Sequence, residues 1–207
     1  MLYYNNKLTP RQNKKLTDIL SAGQSLFAKF GYRKTSVDEI ARNANVAKGT
    51  IYKYFKSKED IFAAVVKQES DQATGIIGEA VKQETDPVAK IRAYVFTKIS
   101  EMRKAISFYH VTREIAHELW PLMDNVQTDF NTWEEEIIRD ILKEGVATGR
   151  FKIRNPVQFA KSLVLMSKAL ELELVLQQDP DQLKIQIDTL INVLLWGLAG
   201  TKPSRRI

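Results

Sequence analysis

Four helix starts with the same local chemistry recur along this chain. Each is a residue with a side-chain oxygen followed by proline: Thr9-Pro10, Asp86-Pro87, Asn155-Pro156 and Asp179-Pro180. The oxygen can accept a hydrogen bond from a free amide of the first turn, and proline at the first helical position loses no hydrogen bond. Between these starts apolar residues recur at intervals of three and four, and alternating β-branched runs are missing. The sequence therefore predicts an all-α protein.

The positive charge is concentrated at the N-terminus. Residues 1–60 hold 12 Lys/Arg and 5 Asp/Glu, a net charge of +7, whereas the remaining 147 residues have a net charge of −1. A basic head on a neutral body favours a polyanionic partner. The alternative is a solvated basic face without a partner.

Several classes of protein and site are not expected. The chain has no cysteine, no apolar run of membrane-spanning length and no apolar stretch of the secretory type at its start, so we expect a cytoplasmic protein without a membrane partner. No phosphate-binding loop, nucleophile elbow or paired His/Cys cluster indicates an enzyme or a cofactor. His110 and His117 lie on one face of a predicted helix with Glu114 between them, but they lack the spacing of a zinc site.

The N-terminal 60 residues contain signals for short helices. We predict helices over 10–30, 37–44 and 47–55, with Gly31 ending the first and Asn45 in the turn after the second. Ser36 and Glu39 form a capping-box pattern. Further helices are predicted near 58–83, 87–105, 107–119, 122–147, 156–177 and 180–199. The predicted architecture is a three-helix helix-turn-helix head over residues 1–56 and a larger helical body over 57–207.

The third predicted helix has an unusual outer face. With Ile51 pointing to the core, Ala47 and Phe55 also point inward. The residues that then point outward are Gly49, Thr50, Tyr52 and Lys53. Glycine and threonine are poor helix formers on an exposed face, but they suit a backbone that approaches the floor of a DNA groove.

The segment over residues 24–62 closely resembles the DNA-binding signature of the tetracycline-repressor (TetR) family. The strongest matches are Ile40-Ala41, Gly49-Thr50-Ile51-Tyr52 and Tyr54-Phe55-Lys56-Ser57-Lys58. Two positions depart from the family pattern. Asn45 stands where glycine is frequent, and Ala47 stands where a serine would cap the third helix, a loss of about 1 kcal/mol.

The resemblance implies a role for each matching position. Ser36, or Thr35 beside it, matches a hydroxyl that contacts phosphate. Lys48, Gly49 and Thr50 match positions that meet bases or backbone in the major groove. Tyr52 and Tyr54 match aromatic residues that reach phosphates or thymine methyls, and Lys58 matches a phosphate-binding lysine. Lys53 is added as a base contact from the helical wheel. The alternatives are packing for the tyrosines, a solvated Lys58 and a purely capping Ser36.

The last two predicted helices are expected to form a homodimer interface. The helix over 156–177 is apolar on more than one side, so it needs a second cover layer. Members of the resembled family dimerise through their last two helices. The expected interface residues are Leu163, Leu170, Leu174, Ile187, Ile191, Leu194 and Leu198. A dimer would bind double-stranded DNA at a pseudo-palindromic operator. The alternative is that this helix is covered within its own chain.

Aromatic residues and methionine in the middle of the chain suggest a ligand pocket. The expected lining is Phe96, Met102, Phe108, Trp120, Phe130 and Trp133. In the resembled family such residues bind a small molecule, here expected to be apolar or aromatic, and plain core packing is the alternative. The resemblance therefore predicts a sequence-specific transcriptional regulator, a repressor that its ligand releases from the operator. The alternative is a DNA-binding regulator or nucleoid-type protein without a small-molecule effector.

Overall fold

The computed structural model describes residues 8–126, 128–176 and 179–199, with side chains for all of these except 120–126, 128, 170–176, 180 and 195–199. Every regular element in the described ranges is a helix, which confirms the predicted all-α class. The elements are α1 (Pro10–Lys34), α2 (Val37–Asn43), α3 (Lys48–Ile51), α4 (Lys58–Lys82), α5 (Pro87–Phe108), α6 (Arg113–Val126), α7 (Thr128–Ala147), α8 (Pro156–Leu176) and α9 (Pro180–Ala199).

The four predicted cap-proline pairs all begin helices. At the start of α1, Thr9 forms a reciprocal capping box with Gln12: each residue's side-chain oxygen accepts the amide hydrogen of the other. At α5 the carboxylate of Asp86 accepts the amide hydrogen of Ala89.

The two C-terminal helices begin in the same way. At α8 the side-chain oxygen of Asn155 accepts the amide hydrogen of Gln158 (3.0 Å). At α9 the carboxylate of Asp179 accepts the amide hydrogen of Gln182 (3.1 Å). In each case the side chain satisfies an amide of the first turn that has no partner within the helix.

The helix boundaries differ from the prediction at several places, including α6 and α7, where the predicted break at 120–121 lies inside α6. Gly31, with φ 78°, interrupts the helical backbone inside α1, and the helix resumes as far as Lys34. Regular α3 ends at Ile51, and a turn follows in which the amides of Lys53 and Tyr54 bond three residues back, to the carbonyls of Thr50 (3.2 Å) and Ile51 (2.8 Å). His110, with φ 50°, separates α5 from α6, so His110 and His117 do not share a helix.

The chain divides into two compact units. The first unit comprises the described residues within 1–70 and 104–127, and the second unit those within 71–103 and 128–207. These borders do not coincide with the predicted division after residue 56, because the start of α4 and the whole of α6 belong to the first unit.

The first unit is built around an aromatic and aliphatic core. The ring of Phe62 lies edge-on to Phe27 (5.1 Å between centroids) and to Tyr109 (6.0 Å). Other fully buried residues of the same core are Ile19, Ile40, Ile51 and Phe55. This core fixes α2 and α3 relative to α1, because each of the three helices contributes side chains to it.

In the second unit, α7 packs against α8. Gly145, near the end of α7, allows the chain to approach closely at this point, because a Cβ there would overlap the ring of Phe151. Phe151 donates its amide hydrogen to the carbonyl of Gly145 (2.8 Å). The buried apolar residues of this unit are Ile77, Val81, Tyr94, Ile99, Ile138, Ile141, Leu142, Phe151, Ala160, Val164, Leu183, Ile187 and Ile191.

Within the described residues, no helix combines the length and the apolar character needed to cross a membrane.

Candidate nucleic-acid interface

The start of α2 presents one exposed hydroxyl, that of Ser36. Its oxygen accepts the amide hydrogen of Glu39 (3.3 Å), and the Glu39 carboxylate accepts the Ser36 amide hydrogen (2.8 Å). The hydrogen bonds from Ser36 lower the pKa of Glu39. The predicted capping box is therefore present, and it holds the Ser36 side chain at the protein surface.

Thr35 requires a correction. It is only 2% exposed, and its hydroxyl lies within hydrogen-bond distance of the carbonyl groups of Gly31 (2.9 Å) and Leu26 (3.2 Å). A hydroxyl enclosed in this way fastens the end of α1 and is not available to phosphate. Of the two hydroxyls considered from the sequence, Ser36 alone remains a candidate contact.

The short helix α3 and the turn after it have a buried inner side and an open outer face. Ile51 and Phe55 are fully buried, whereas Gly49 and Lys53 are exposed and Tyr52 is 50% exposed. A Cβ at Gly49 would meet nothing within 4 Å, so packing within the chain does not require glycine there. The backbone at Gly49 is therefore open to another molecule.

Thr50 and Ala47 lie at the two sides of this face. Thr50 is half-buried. Ala47 does not point inward as predicted: it is exposed, because it lies just outside the regular helix as its N-terminal flanking residue, and it makes no side-chain cap. Alanine at this position therefore leaves α3 without the side-chain hydrogen bond that α2 has.

Lys48 forms an ion pair in the free protein. Its Nζ lies 2.8 Å from Oδ2 of Asp38, in the first turn of α2, and both side chains are largely exposed. This hydrogen bond raises the pKa of Lys48. A phosphate or base that binds Lys48 must compete with the Asp38 carboxylate.

Tyr54 and Lys58 connect the surface of this region to its framework. The hydroxyl of Tyr54 donates to the carbonyl of Gln12 (3.4 Å). Nζ of Lys58 donates to the carbonyl of Tyr32 (2.9 Å) and lies 4.2 Å from the centre of the Tyr32 ring. Lys58 is therefore held at the start of α4 by contacts of its own, and it is more than a solvated lysine.

An open groove beside the helix-turn-helix was not singled out from the sequence. It has a volume of about 580 Å³ and is lined by residues 43–46 and, on α1, by residues that include Arg11, Lys14, Lys15 and Asp18. Lys14 pairs with Asp18 (3.1 Å). The only sequence signal was that these basic residues lie off the apolar face of α1.

The residues predicted to line a ligand pocket are divided between the units. In the second unit the partly buried ones are Phe96, Met102, Phe130 and Trp133, and the rings of the last two lie 5.6 Å apart. Phe108 belongs to the first unit and is 54% exposed, so it does not line an enclosed cavity there. The side chain of Trp120 lies outside the described residues.

The predicted dimer residues also divide into separate groups. Ile187 and Ile191 are each 3% exposed within one chain, which corrects their predicted place in the dimer interface. They belong to the core of the second unit, so no partner subunit is needed to bury them. Leu163 and Leu194 are half-buried. The side chains of Leu170, Leu174 and Leu198 lie outside the described residues. Exposed apolar side chains on α8 and α9 outside the expected interface set are Val157, Leu165, Met166, Ile185, Leu190 and Val193.

Comparison with known proteins identifies the family. Residues 19–65 match the family model of bacterial regulatory proteins, tetR family. The HTH-type transcriptional repressor KstR2 of Mycolicibacterium smegmatis is 30% identical over 148 residues, which are 70% of this chain and 71% of that protein. The chain belongs to the tetR family. It is a DNA-binding transcriptional regulator, as the resemblance predicted.

Two further comparisons extend beyond the DNA-binding segment of this tetR-family regulator. The fatty acid metabolism regulator protein of Bacillus subtilis is 27% identical over 155 residues, which are 74% of this chain and 79% of that protein. The crystal structure of the transcriptional regulator FadR from Bacillus subtilis in complex with stearoyl-CoA has a TM-score of 0.57 and 25% identity, covering 90% of this chain and 99% of that one.

Proposed function

We propose that this regulator is a dimeric repressor that reads a pseudo-palindromic operator through α2 and α3 and is released by a long-chain acyl thioester. The observation that carries the DNA part is the open face of α3 and the turn after it, where Gly49, Tyr52 and Lys53 are exposed while Ile51 is fully buried. A basic N-terminal region adds electrostatic attraction to DNA.

The contacts are assigned by where each side chain lies. Gly49, Thr50 and Lys53 read bases in the major groove, because they occupy the outer side of α3 and the turn after it. Lys48 reaches a base or a phosphate after leaving Asp38. Ser36, Tyr54 and Lys58 contact the DNA backbone, and Tyr52 contacts a phosphate or a thymine methyl.

The proposed dimer uses the exposed apolar face of α8 and α9. Leu165 on α8 and Ile185 on α9 are 73% and 66% exposed, and Met166, Leu190 and Val193 on the same two helices are also exposed. A group of exposed apolar side chains on neighbouring elements of sequence favours an interaction surface more than a single one does. A twofold dimer would present two copies of α3 to half-sites about one helical turn apart.

The proposed effector comes from the relatives. One relative is named a regulator of fatty acid metabolism, and the similar crystal structure of FadR holds stearoyl-CoA. A ligand that binds the conformation with low operator affinity more tightly than the other conformation depletes the DNA-bound form. The partly buried Phe130 and Trp133 would contribute apolar surface to its site.

Four alanine variants test the DNA assignment on duplexes enriched from a random pool. Thr50→Ala and Lys53→Ala should change which bases are preferred, whereas Tyr54→Ala and Lys58→Ala should weaken binding to all sequences about equally. Because Lys58 also contacts Tyr32, circular dichroism must show that the Lys58→Ala protein is folded. An altered base preference in Lys58→Ala, with overall affinity intact, would contradict the assigned roles.

Stearoyl-CoA tests the effector. Added to the complex of wild-type protein and selected duplex, it should dissociate the DNA, whereas coenzyme A alone should not. If neither compound changes operator binding, the regulator does not respond to this class of ligand, although its DNA-binding function stands.

A further inference from the structure

The second unit buries a cluster of three polar side chains, Tyr94, Lys98 and Glu134. They are 4%, 4% and 0% exposed, respectively. Oε1 of Glu134 accepts a hydrogen bond from the hydroxyl of Tyr94 and one from Nζ of Lys98, the latter at 2.5 Å. Two donors from α5 thus converge on one oxygen of a carboxylate from α7.

The other carboxylate oxygen, Oε2 of Glu134, has no hydrogen-bond partner. Among the buried side-chain nitrogen and oxygen atoms that the structure describes, it is the single atom without one. Buried polar atoms are nearly always paired, because an unpaired one loses its hydration without compensation. An apolar residue of similar volume would avoid this cost, so the carboxylate is not explained by stability.

Two aromatic rings lie on the α7 side of the cluster. Nζ of Lys98 lies 5.6 Å from the centre of the Phe130 ring, which in turn contacts the Trp133 ring. The Trp133 ring lies next to the backbone of Gly78 on α4: a Cβ built on Gly78 would lie 3.9 Å from Cζ2 of Trp133. Phe130 and Glu134 are four residues apart on α7 and therefore share a face. Glu134 thus shares its helix face with an aromatic ring against which an apolar ligand can pack.

We propose that Oε2 of Glu134 accepts a hydrogen bond from a neutral N–H or O–H group of an otherwise apolar ligand. Tyr94 and Lys98 are positioning residues that hold the carboxylate through its other oxygen. This inference rests on the proposed ligand response and specifies the chemistry of the ligand.

The charge of the cluster restricts which ligands fit. An ionised carboxylate only accepts hydrogen bonds, so its partner must be a donor. Lys98 already balances the charge of Glu134, and a free carboxylate on the ligand would place a second negative charge against Oε2. The site therefore favours amides and alcohols over free fatty acids. The amide groups of the pantetheine arm give an acyl-CoA suitable N–H donors.

Three probes of equal chain length test the inference on the full-length protein: dodecanamide, methyl dodecanoate and dodecanoate. Dodecanamide presents a neutral donor, the methyl ester presents none, and dodecanoate is an anion. Calorimetry on the wild type should give an affinity for the amide about ten-fold above that for the ester, with the anion weakest. Equal affinities for amide and ester, or binding of none of the three, would overturn the inference without any variant.

Glu134→Gln is the matched variant. Its carbonyl oxygen can keep the bonds from Tyr94 and Lys98, which places an NH2 donor where Oε2 was. The preference for the amide should then disappear or reverse in favour of the ester. Glu144→Gln, in the Lys90–Glu144 pair of the same unit, is the control and should leave the preference unchanged. If Glu134→Gln unfolds, the charge-neutral double variant Lys98→Met/Glu134→Gln replaces it.

Operator release separates this inference from the proposed function. If stearoyl-CoA releases the operator equally well from the wild type and from Glu134→Gln, the proposed effector stands and the inference is overturned. If the wild type prefers dodecanamide but stearoyl-CoA does not release the operator, the inference stands and the proposed effector is wrong.

Discussion

Glu69 in the first unit and Glu134 in the second unit each receive two hydrogen bonds on one carboxylate oxygen, but in different surroundings. Glu69 is half-buried and accepts from Gln24 (2.7 Å) and Tyr109 (2.6 Å), both neutral donors. Glu134 is fully buried, and one of its donors is the charged Lys98. Water still hydrates part of the Glu69 carboxylate, so its desolvation penalty is small. The Glu134 carboxylate is removed from water together with its counter-ion, Lys98, so its desolvation penalty is large.

The difference separates a structural contact from a candidate functional one. The bonds of Glu69 join α1, α4 and the residue after α5, and so support the framework that carries α2 and α3. The bonds of Glu134 leave one oxygen unpaired. If this comparison is right, the loss of Lys98 should destabilise the protein more than the loss of a more exposed ion-pair partner, and more than the loss of a hydrogen bond to Glu69.

Lys98→Met should have the largest effect on stability. It leaves the Glu134 carboxylate buried without its counter-ion, which should lower the free energy of unfolding by about 3–5 kcal/mol. Urea denaturation measures the loss. The control is Lys90→Met, which removes a more exposed ion pair and should cost about 1 kcal/mol or less. If both variants lost similar amounts of stability, the burial of the Lys98–Glu134 pair would not make it energetically different from the more exposed Lys90–Glu144 pair.

Tyr109→Phe should have the next largest effect. It removes the hydrogen bond to Glu69, which should cost about 1.5 kcal/mol, because Glu69 keeps its bond from Gln24 and part of its hydration. Tyr52→Phe, on the exposed face of α3, should change stability by less than about 0.5 kcal/mol. If Tyr109→Phe lowered the free energy of unfolding as much as Lys98→Met does, the Glu69 and Glu134 clusters would contribute equally to stability, which would contradict the comparison.

Alkaline pH should weaken the first unit. Burial, followed by the hydrogen bond to a glutamate, raises the pKa of both Tyr32 and Tyr109 above the ordinary value of 10.0. The folded state therefore keeps protons that the unfolded state loses above pH 10, and stability falls as pH rises, by at most about 1.4 kcal/mol per pH unit for each tyrosine. Denaturation between pH 8 and 11 measures this slope. The slope should be smaller in Tyr32→Phe and Tyr109→Phe, and an unchanged slope in both would contradict the assignment.

The smallest effects concern the caps within the first unit. Ser36→Ala removes the side-chain cap of α2 and should cost about 1 kcal/mol, whereas Ala47→Ser supplies the cap that α3 lacks and should add up to about 1 kcal/mol. Thermal unfolding of the two variants should therefore shift in opposite directions. A downward shift for Ala47→Ser would mean that the exposed position before α3 cannot accept a cap.

The sequence predicted the features that depend on neighbouring residues. The caps at Thr9 and Ser36 use partners three residues away, and the match to the family signature lies within one short segment, so both could be recognised without a structure. The turn after Ile51 was missed because the spacing of Ile51 and Phe55 fits a continuing helix equally well.

Features that depend on distant residues were not predictable in this way. The apolar stripe of α9 identified one face of the helix, but not whether that face meets its own chain, as Ile187 and Ile191 do, or a partner. Glu134 lies 36 and 40 residues from Lys98 and Tyr94, and no local pattern marks them as neighbours. The buried position of Thr35 likewise depends on the carbonyl of Leu26, nine residues away.

Selection from a pool of random duplexes at about 150 mM salt tests most directly whether this regulator reads DNA sequence as a twofold dimer. We predict enrichment of an inverted repeat whose half-sites lie about one helical turn apart. Thr50→Ala protein, selected in parallel, should enrich a different half-site with the same spacing. Failure of the wild type to enrich any sequence, or enrichment of a single unrepeated site, would contradict the claim.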